Sequence, residues 1–227
     1  EVAVALVPDL SDAAGGVAAA METFARHFGR PVKDLDPREY VGLVLMDGLS
    51  MAEEKVLDAL GNHTDVLFVG GSAGDDLQFK QTRVFANGQG HTNAAVLALL
   101  RPAVRYDVVK TQSFSPTATT LVATRVDEAK RTVYEFNGRP AVLAYAEALG
   151  VGPAKLDTVF MKHPLGVIVN GAPNVRSPQQ AQGDALVFYC NIRKGMELVV
   201  LDGRDMVEDT RAAVVAMLAQ KADANSP

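Results

Sequence analysis

The sequence predicts a mixed α+β fold: a βαβαβ start, an antiparallel meander, then a second α+β portion. Three observations carry this expectation. Short apolar runs alternate with helical stripes over residues 2–69. After residue 74 the pattern changes to alternating segments rich in Val, Thr and Tyr. Beyond Gly138, helical stripes return among further strands.

Residues 2–8 read as a strand closed by Pro8, and residues 12–28 as a helix with Val17, Met21, Phe24 and Phe28 on one stripe. Gly29 and Pro31 stop that helix. Residues 41–46 are apolar throughout, the pattern of a strand buried on both faces. Ser50 and Glu53 read as a capping box opening a second helix, which Gly61 closes. Residues 66–69 form a third buried strand, and the crossovers argue for parallel neighbours. The meander is assigned to 82–86, 92–100, 104–111, 118–126 and 132–136, with a turn at Asn87-Gly88-Gln89-Gly90. Asn137-Gly138-Arg139-Pro140 starts a helix that ends at Gly150, with Pro140 in the first helical position. A shorter helix follows from Pro153, then strands near 165–170, 185–192 and 196–201. The last helix spans about Asp205 to Ala219, with Asp205 and Glu208 as a capping pair, and the polar end from Lys221 frays. The seam falls near Gly138, dividing the chain into 1–138 and 139–227.

Composition narrows the function. The chain has 227 residues, 48% hydrophobic and 22% charged, enough for a true core. Its net charge of −5 gives no basic footprint for nucleic acid. No apolar stretch is long enough to insert into a bilayer, and no signal peptide is visible. Cys190 is the one cysteine, so no internal disulfide can form, which fits the cytoplasm. By strand alternation Cys190 shares a face with Leu186, Phe188 and Ile192 and reads as a small buried hydrophobe. Met21 and Met217 sit at helical core spacing and read as packing residues.

Gly70-Gly71-Ser72-Ala73-Gly74 matches the G-x-S-x-G elbow of serine hydrolases and follows a buried strand. The elbow also needs a helix directly after the serine, to expose Oγ and supply an oxyanion N–H. Asp75-Asp76-Leu77-Gln78-Phe79-Lys80 has no helical stripe, so Ser72 is not expected to be a nucleophile, and no enzyme is expected. The segment reads better as a binding loop. Gly70 and Gly71 let backbone N–H groups approach a ligand, Ser72 adds a hydroxyl, and Asp75 and Asp76 favour an ammonium over a phosphate. No P-loop or dinucleotide fingerprint is present. An amino acid or similar small polar metabolite suits this set. Arg176, among turn formers, is the candidate for its carboxylate. None of His27, His63, His91 and His163 has zinc-ligand spacing.

Several stretches, taken in order, resemble the FIST family. They are Val69-Gly70-Gly71-Ser72-Ala73-Gly74-Asp75-Asp76, Val84-Phe85-Ala86-Asn87-Gly88, Gln112-Ser113-Phe114-Ser115-Pro116 and Val133-Tyr134-Glu135-Phe136-Asn137-Gly138-Arg139-Pro140-Ala141. His163-Pro164-Leu165-Gly166, Val175-Arg176-Ser177 and Gly195-Met196-Glu197-Leu198 follow. The resemblance implies an N-terminal module over 1–138, its opening part missing because the chain starts at Glu1-Val2-Ala3 in mid-strand, and a partial C-terminal module over 139–227. It further implies intracellular sensing beside a signalling output protein or domain. Family ligands proposed include amino acids, and some members resemble haem-based nitric oxide sensors. If haem is bound here, His163 is the expected axial ligand, being within a family-like motif and flanked by Met161 and Leu165.

Overall fold

The computed structural model describes residues 1–76 and 78–224. They divide into two compact units, Glu1–Asp107 and Val108–Pro227.

The first unit runs β1 (Val2–Val7), α1 (Ala13–Phe28), β2 (Val41–Asp47), α2 (Glu53–His63), β3 (Phe68–Ala73), β4 (Val84–Ala86), β5 (Gln89–His91) and β6 (Ala95–Leu100). α1 forms where the sequence placed it. The Asp12 carboxylate accepts the Gly15 N–H at 3.1 Å, Val17, Ala20, Met21 and Phe24 are buried, and Gly29 ends the helix at φ 72°. The sheet has the order β1-β6-β2-β3. β2 and β3 are parallel, as expected, but β1 and β2 are not neighbours. β6 lies between them, antiparallel to both, with Leu100 opposite Val2 on one side and Val41 on the other. The expected meander thus gives one of its strands to the first sheet.

α1 and α2 bury one face of this sheet, centred on Val17, Phe24, Val44, Val56, Leu97 and Leu99. The opposite face holds Val2, Val4, Leu43 and Leu45, which are 52, 50, 39 and 50% exposed. Burial on both faces is therefore met on one face only, because both helices return to the same side. The β4–β5 hairpin covers one end of the second face, where Val84 and Ala86 meet Leu6, Ala73 and Val96. Its turn residues, Asn87 and Gly88, have φ of 51° and 77°, as a two-residue hairpin turn requires.

Three local expectations are corrected here. The capping box does not form: Ala52 holds the N-cap of α2, and the Ser50 hydroxyl donates to the Asp47 carbonyl at 2.6 Å. Gly61 lies inside α2, which continues to His63. Residues 104–111 make no strand. Pro102 cannot donate to a ladder, and beyond it the Tyr106 hydroxyl pins the segment to the Tyr40 carbonyl at 2.5 Å.

The second unit runs β7 (Phe114–Asp127), β8 (Thr132–Phe136), β9 (Arg139–Pro140), α3 (Ala141–Ala148), β10 (Leu165–Val169), β11 (Ala172–Arg176), β12 (Pro178–Gln182), β13 (Ala185–Phe188), β14 (Glu197–Gly203) and α4 (Met206–Ala224). Its sheet is ordered β11-β10-β14-β7-β8-β13-β12, with β9 paired to β8. α3 packs on the inner face, where Phe136, Tyr145, Leu165, Leu186 and Leu198 are buried. The Tyr145 and Phe160 rings stack at 6.1 Å. Pro140 caps α3 rather than opening its first turn.

Three strands of this sheet were not expected, β9, β11 and β12. Asn170-Gly171 turns the β10–β11 hairpin with φ of 52° and 77°, so Arg176 stands in a strand and not in a loop. β13 ends at Phe188, and the half-buried Cys190 packs against the core. The Asp205 carboxylate caps α4, accepting the N–H groups of Val207 at 2.9 Å and Glu208 at 3.1 Å. Val207, Val214, Val215 and Leu218 on α4 are exposed and Met217 is half-buried, so Met217 is not the core residue expected, whereas Met21 is. Of the polar end expected to fray, 221–224 belong to α4 and 225–227 lie outside the described residues.

Candidate functional site

The first unit holds a cleft of about 250 Å³ lined by Asp47, Leu49, Ser50, Lys80, Gln81, Thr82, Thr92 and Asn93. It lies where β2 ends, on the carboxyl side of the parallel β2–β3 pair, a favoured ligand position in open sheets. Asp47 is its organising residue. Only 5% of it is exposed, and its carboxylate accepts hydrogen bonds from three separate segments. Oδ1 accepts the Leu49 N–H at 3.0 Å and the Thr82 hydroxyl, and Oδ2 accepts the Asn93 N–H at 2.6 Å. A buried carboxylate is costly unless its oxygens are satisfied, so these contacts tie the three segments together. The Asp47 N–H donates in turn to the Ala94 carbonyl at 2.9 Å.

The loops around the cleft carry uncommon backbone. Met51, Phe79 and Asn93 have φ of 51°, 52° and 48°. Asn tolerates this region, whereas Met and Phe are strained there, and such strain collects at functional sites. The Asn93 amide donates to Asp9 Oδ1 at 2.8 Å, and the Ser11 N–H bonds the same oxygen at 2.9 Å. Those bonds hold the Asp9 carboxyl below the usual carboxylate range, the Ser11 N–H chiefly.

The segment singled out in the sequence lies beside this cleft. Gly70, Gly71 and Ser72 belong to β3, so this part of the expected binding loop is a strand. Gly70 is needed for close approach: a methyl there would fall 1.7 Å from the Val44 carbonyl oxygen. At Gly48 an added methyl would meet the Ala73 carbonyl at 2.4 Å and the Ser72 Cβ at 3.2 Å. The Ser72 hydroxyl donates to Glu53 Oε1 at 2.9 Å. No helix forms among the described residues between Ala73 and Val84, as the reading against a nucleophile elbow required.

Asp75 turns inward on its own loop. Its carboxylate accepts the N–H groups of Lys80 at 2.8 Å and of Gln78 and Phe79 at 3.0 Å each. These bonds, the one from Lys80 foremost, hold its carboxyl below the usual range. Asp75 thereby fixes the backbone that presents Lys80 and Thr82 to the cleft. Asp76 is exposed. The Lys80 ammonium donates to Gln78 Oε1 at 3.0 Å.

Arg176 belongs to the second unit, at the end of β11 opposite Leu165, and does not line the cleft. Its Nη1 donates to the Val175 carbonyl at 3.1 Å, and its Nε is buried without a hydrogen-bond partner. His163 stands in the same unit with Nδ1 2.8 Å from Asp202 Oδ1, leaving Nε2 as the nitrogen for a metal. The Tyr145 hydroxyl, its pKa pushed up by burial, donates to the His163 carbonyl. A haem needs an apolar slot, and these surroundings fit it poorly: Met161 is 84% exposed, and Lys162 and Asp202 are also exposed.

The sequence reading missed Asp47 and its partners. The available signal was an Asp-Gly pair closing the apolar run 41–46, since strand ends carry sites disproportionately.

Comparison with known proteins gives the family. The FIST N domain profile matches residues 1–139 and the FIST C domain profile matches residues 141–225. The chain belongs to the FIST family. FIST domains are small-ligand sensory domains of signal transduction. The two profiles meet near residue 140 while the compact units divide between Asp107 and Val108, so β7 and β8 fall in the first profile and the second unit. The chain is also similar to "Uncharacterized protein MJ1623" of Methanocaldococcus jannaschii, 25% identical over 213 residues. That match takes in 87% of this chain and 40% of the relative, so the chain spans under half the relative's length. No solved structure matches significantly. No helix among the described residues is long and apolar enough to cross a membrane.

Proposed function

We propose that this chain is a non-enzymatic sensor module that binds an amino acid or a similar small zwitterion in the Asp47 cleft. One observation carries the reading: Asp47, a buried acidic residue, and Lys80 line the same cleft with Ser50, Thr82, Thr92 and Asn93. A zwitterion needs an anionic partner for its ammonium and a cation for its carboxylate. Asp47 already accepts three hydrogen bonds and has room for about one more, since a carboxylate offers roughly four lone-pair sites. Lys80 supplies the cation, and the hydroxyl and amide groups fix orientation. Asp75 acts by holding the Lys80 loop, and Ser72 stands against Gly48 beside the cleft. Binding would be passed to a signalling output protein or domain in the cytoplasm, a compartment that the single cysteine suits.

The test is a thermal-shift screen against the standard amino acids, followed by calorimetry on any hit. A ligand at a hundredfold its Kd adds about 2.7 kcal/mol to the unit that holds it. Lys80→Gln should weaken the hit at least about tenfold, as loss of a charge partner does, and shift stability by less than about 0.5 kcal/mol. Unchanged affinity in that variant places the site elsewhere. The second reading, a haem on His163, draws on the Asp202 contact, which would fix the ring tautomer as metal-bound histidines require. A Soret band that His163→Ala abolishes would promote it over the first.

A further inference from the structure

The first sheet leaves one face open. By the β1–β6 and β2–β6 registers, Val2, Leu100 and Val41 share a row across the strands, as do Val4, Ala98 and Leu43. The row continues from Leu43 to Val69 on β3. Each of these positions is apolar and none carries a charge. A strand apolar at every position reads as one that needs a cover on both sides, and domains are built of packed layers. Here α1 and α2 supply one layer, and the β4–β5 hairpin reaches only one end of the other side.

We infer that this open face is the surface through which two copies of the chain associate, sheet against sheet. Three arguments favour a second copy. A two-fold axis sets the same patch against itself, so one apolar face is its own complement. The chain carries a net charge of −5. An uncharged patch is the place where two such chains can meet without like-charge contact, whereas a foreign partner is usually chosen by a charge pattern that this patch lacks. The area is close to the lower bound for such contacts. Four strands about 4.8 Å apart, uncovered over about five residues each, present roughly 300–400 Å². Doubled, with the rim added, this approaches the roughly 1,000 Å² that marks the lower bound of specific interfaces. An interface of this size is a weak one, and the association is reversible. The sheets would lie about 10 Å apart with their strands aligned within about 30°.

Sedimentation velocity over a range of protein concentrations tests this. The expected result is a monomer–dimer equilibrium for the unaltered chain. Leu45→Lys should raise the dimer Kd at least about tenfold, while Thr120→Lys on the second sheet leaves it unchanged. Far-UV circular dichroism and a melting curve report whether the variants are folded. Should Leu45→Lys fail to fold, the paired change Val4→Thr with Leu45→Thr keeps strand propensity and should still weaken the dimer. A dye that fluoresces on apolar surface should brighten on dilution as the face is uncovered. A chain that stays monomeric at every concentration overturns the inference, as does a dimer unaffected by either set of changes.

Discussion

β2 in the first unit and β7 in the second are both interior strands of their sheets, yet they are written differently. β2 reads Val-Gly-Leu-Val-Leu-Met with no polar break before Asp47. β7 alternates around its centre, with Leu121 and Ala123 buried, Thr120 exposed and Thr124 half-buried. The alternating strand belongs to an antiparallel sheet with α3 on one side and a face that water can wet. The continuous strand belongs to a sheet whose two helices cover one side and leave Leu43 and Leu45 uncovered on the other. Strand pattern thus counts the faces that need covering, and the first sheet's count exceeds the covers it has.

The largest effects should come from the covered cores. Phe24 on α1 and Phe136 on β8 are both fully buried. Truncating either to Ala should cost about 4 kcal/mol by lost transfer energy and cavity formation. Hydrogen exchange read strand by strand should show the loss in β1, β2 and β6 for Phe24→Ala, and in β7 and β8 for Phe136→Ala. A loss spread evenly over both sheets would erase the contrast between them.

Asp47→Ala should come next. It leaves the Asn93 and Leu49 N–H groups and the Thr82 hydroxyl without their acceptor, at a cost of about 3 kcal/mol. Denaturant unfolding with and without the substitution measures it. A cost below about 1 kcal/mol would mean that the carboxylate does not tie these segments together.

The smallest effect is local and depends on pH. Asp75 has a carboxyl held below its ordinary range, first by the Lys80 N–H. A depressed folded-state pKa stabilises the loop above the unfolded pKa, and that contribution is lost as pH falls through the folded one. Protection of the Lys80 amide, its exchange rate compared with the intrinsic rate at the same pH, should therefore fall on acidification below the ordinary carboxylate range. In Asp75→Asn the amide should be unprotected already at neutral pH and should show no such step.

The elements that local physics decides were legible. α1 was read to within a residue because its stripe and its stop at Gly29 agree, and the one residue of difference is Asp12, which caps the helix instead of opening it. The turn at Asn87-Gly88 was legible, since few other pairs accept two left-handed residues in succession, but Gln89 and Gly90, read as part of the turn, belong to β5. Long-range pairing was not legible. Nothing within 95–100 says that this strand inserts between two strands made much earlier, and the change of pattern after residue 74 pointed the wrong way. Asp75 carried the same acidity in both readings, but its three hydrogen bonds run to its own backbone, a choice that depends on loop geometry and not on residue type. Asp47 looked like the last residue of a strand. Its role depends on Thr82 and Asn93, 35 and 46 positions away.

The place of β6 has a consequence for how the chain is made. β1, α1, β2, α2 and β3 leave the ribosome before β6, and the strand that joins β1 to β2 is synthesised only at Ala95–Leu100. Until then β2 can pair with β3, while β1 waits for a ladder partner that leaves the ribosome some ninety residues after it. Pairing at such separation is slow to form because closing the long loop costs entropy before any contact repays it. The nascent first unit is thus a half-sheet with apolar strands on offer, the state most exposed to mispairing with another chain. Emergence of Leu100 turns that half-sheet into a closed ladder in a single late step.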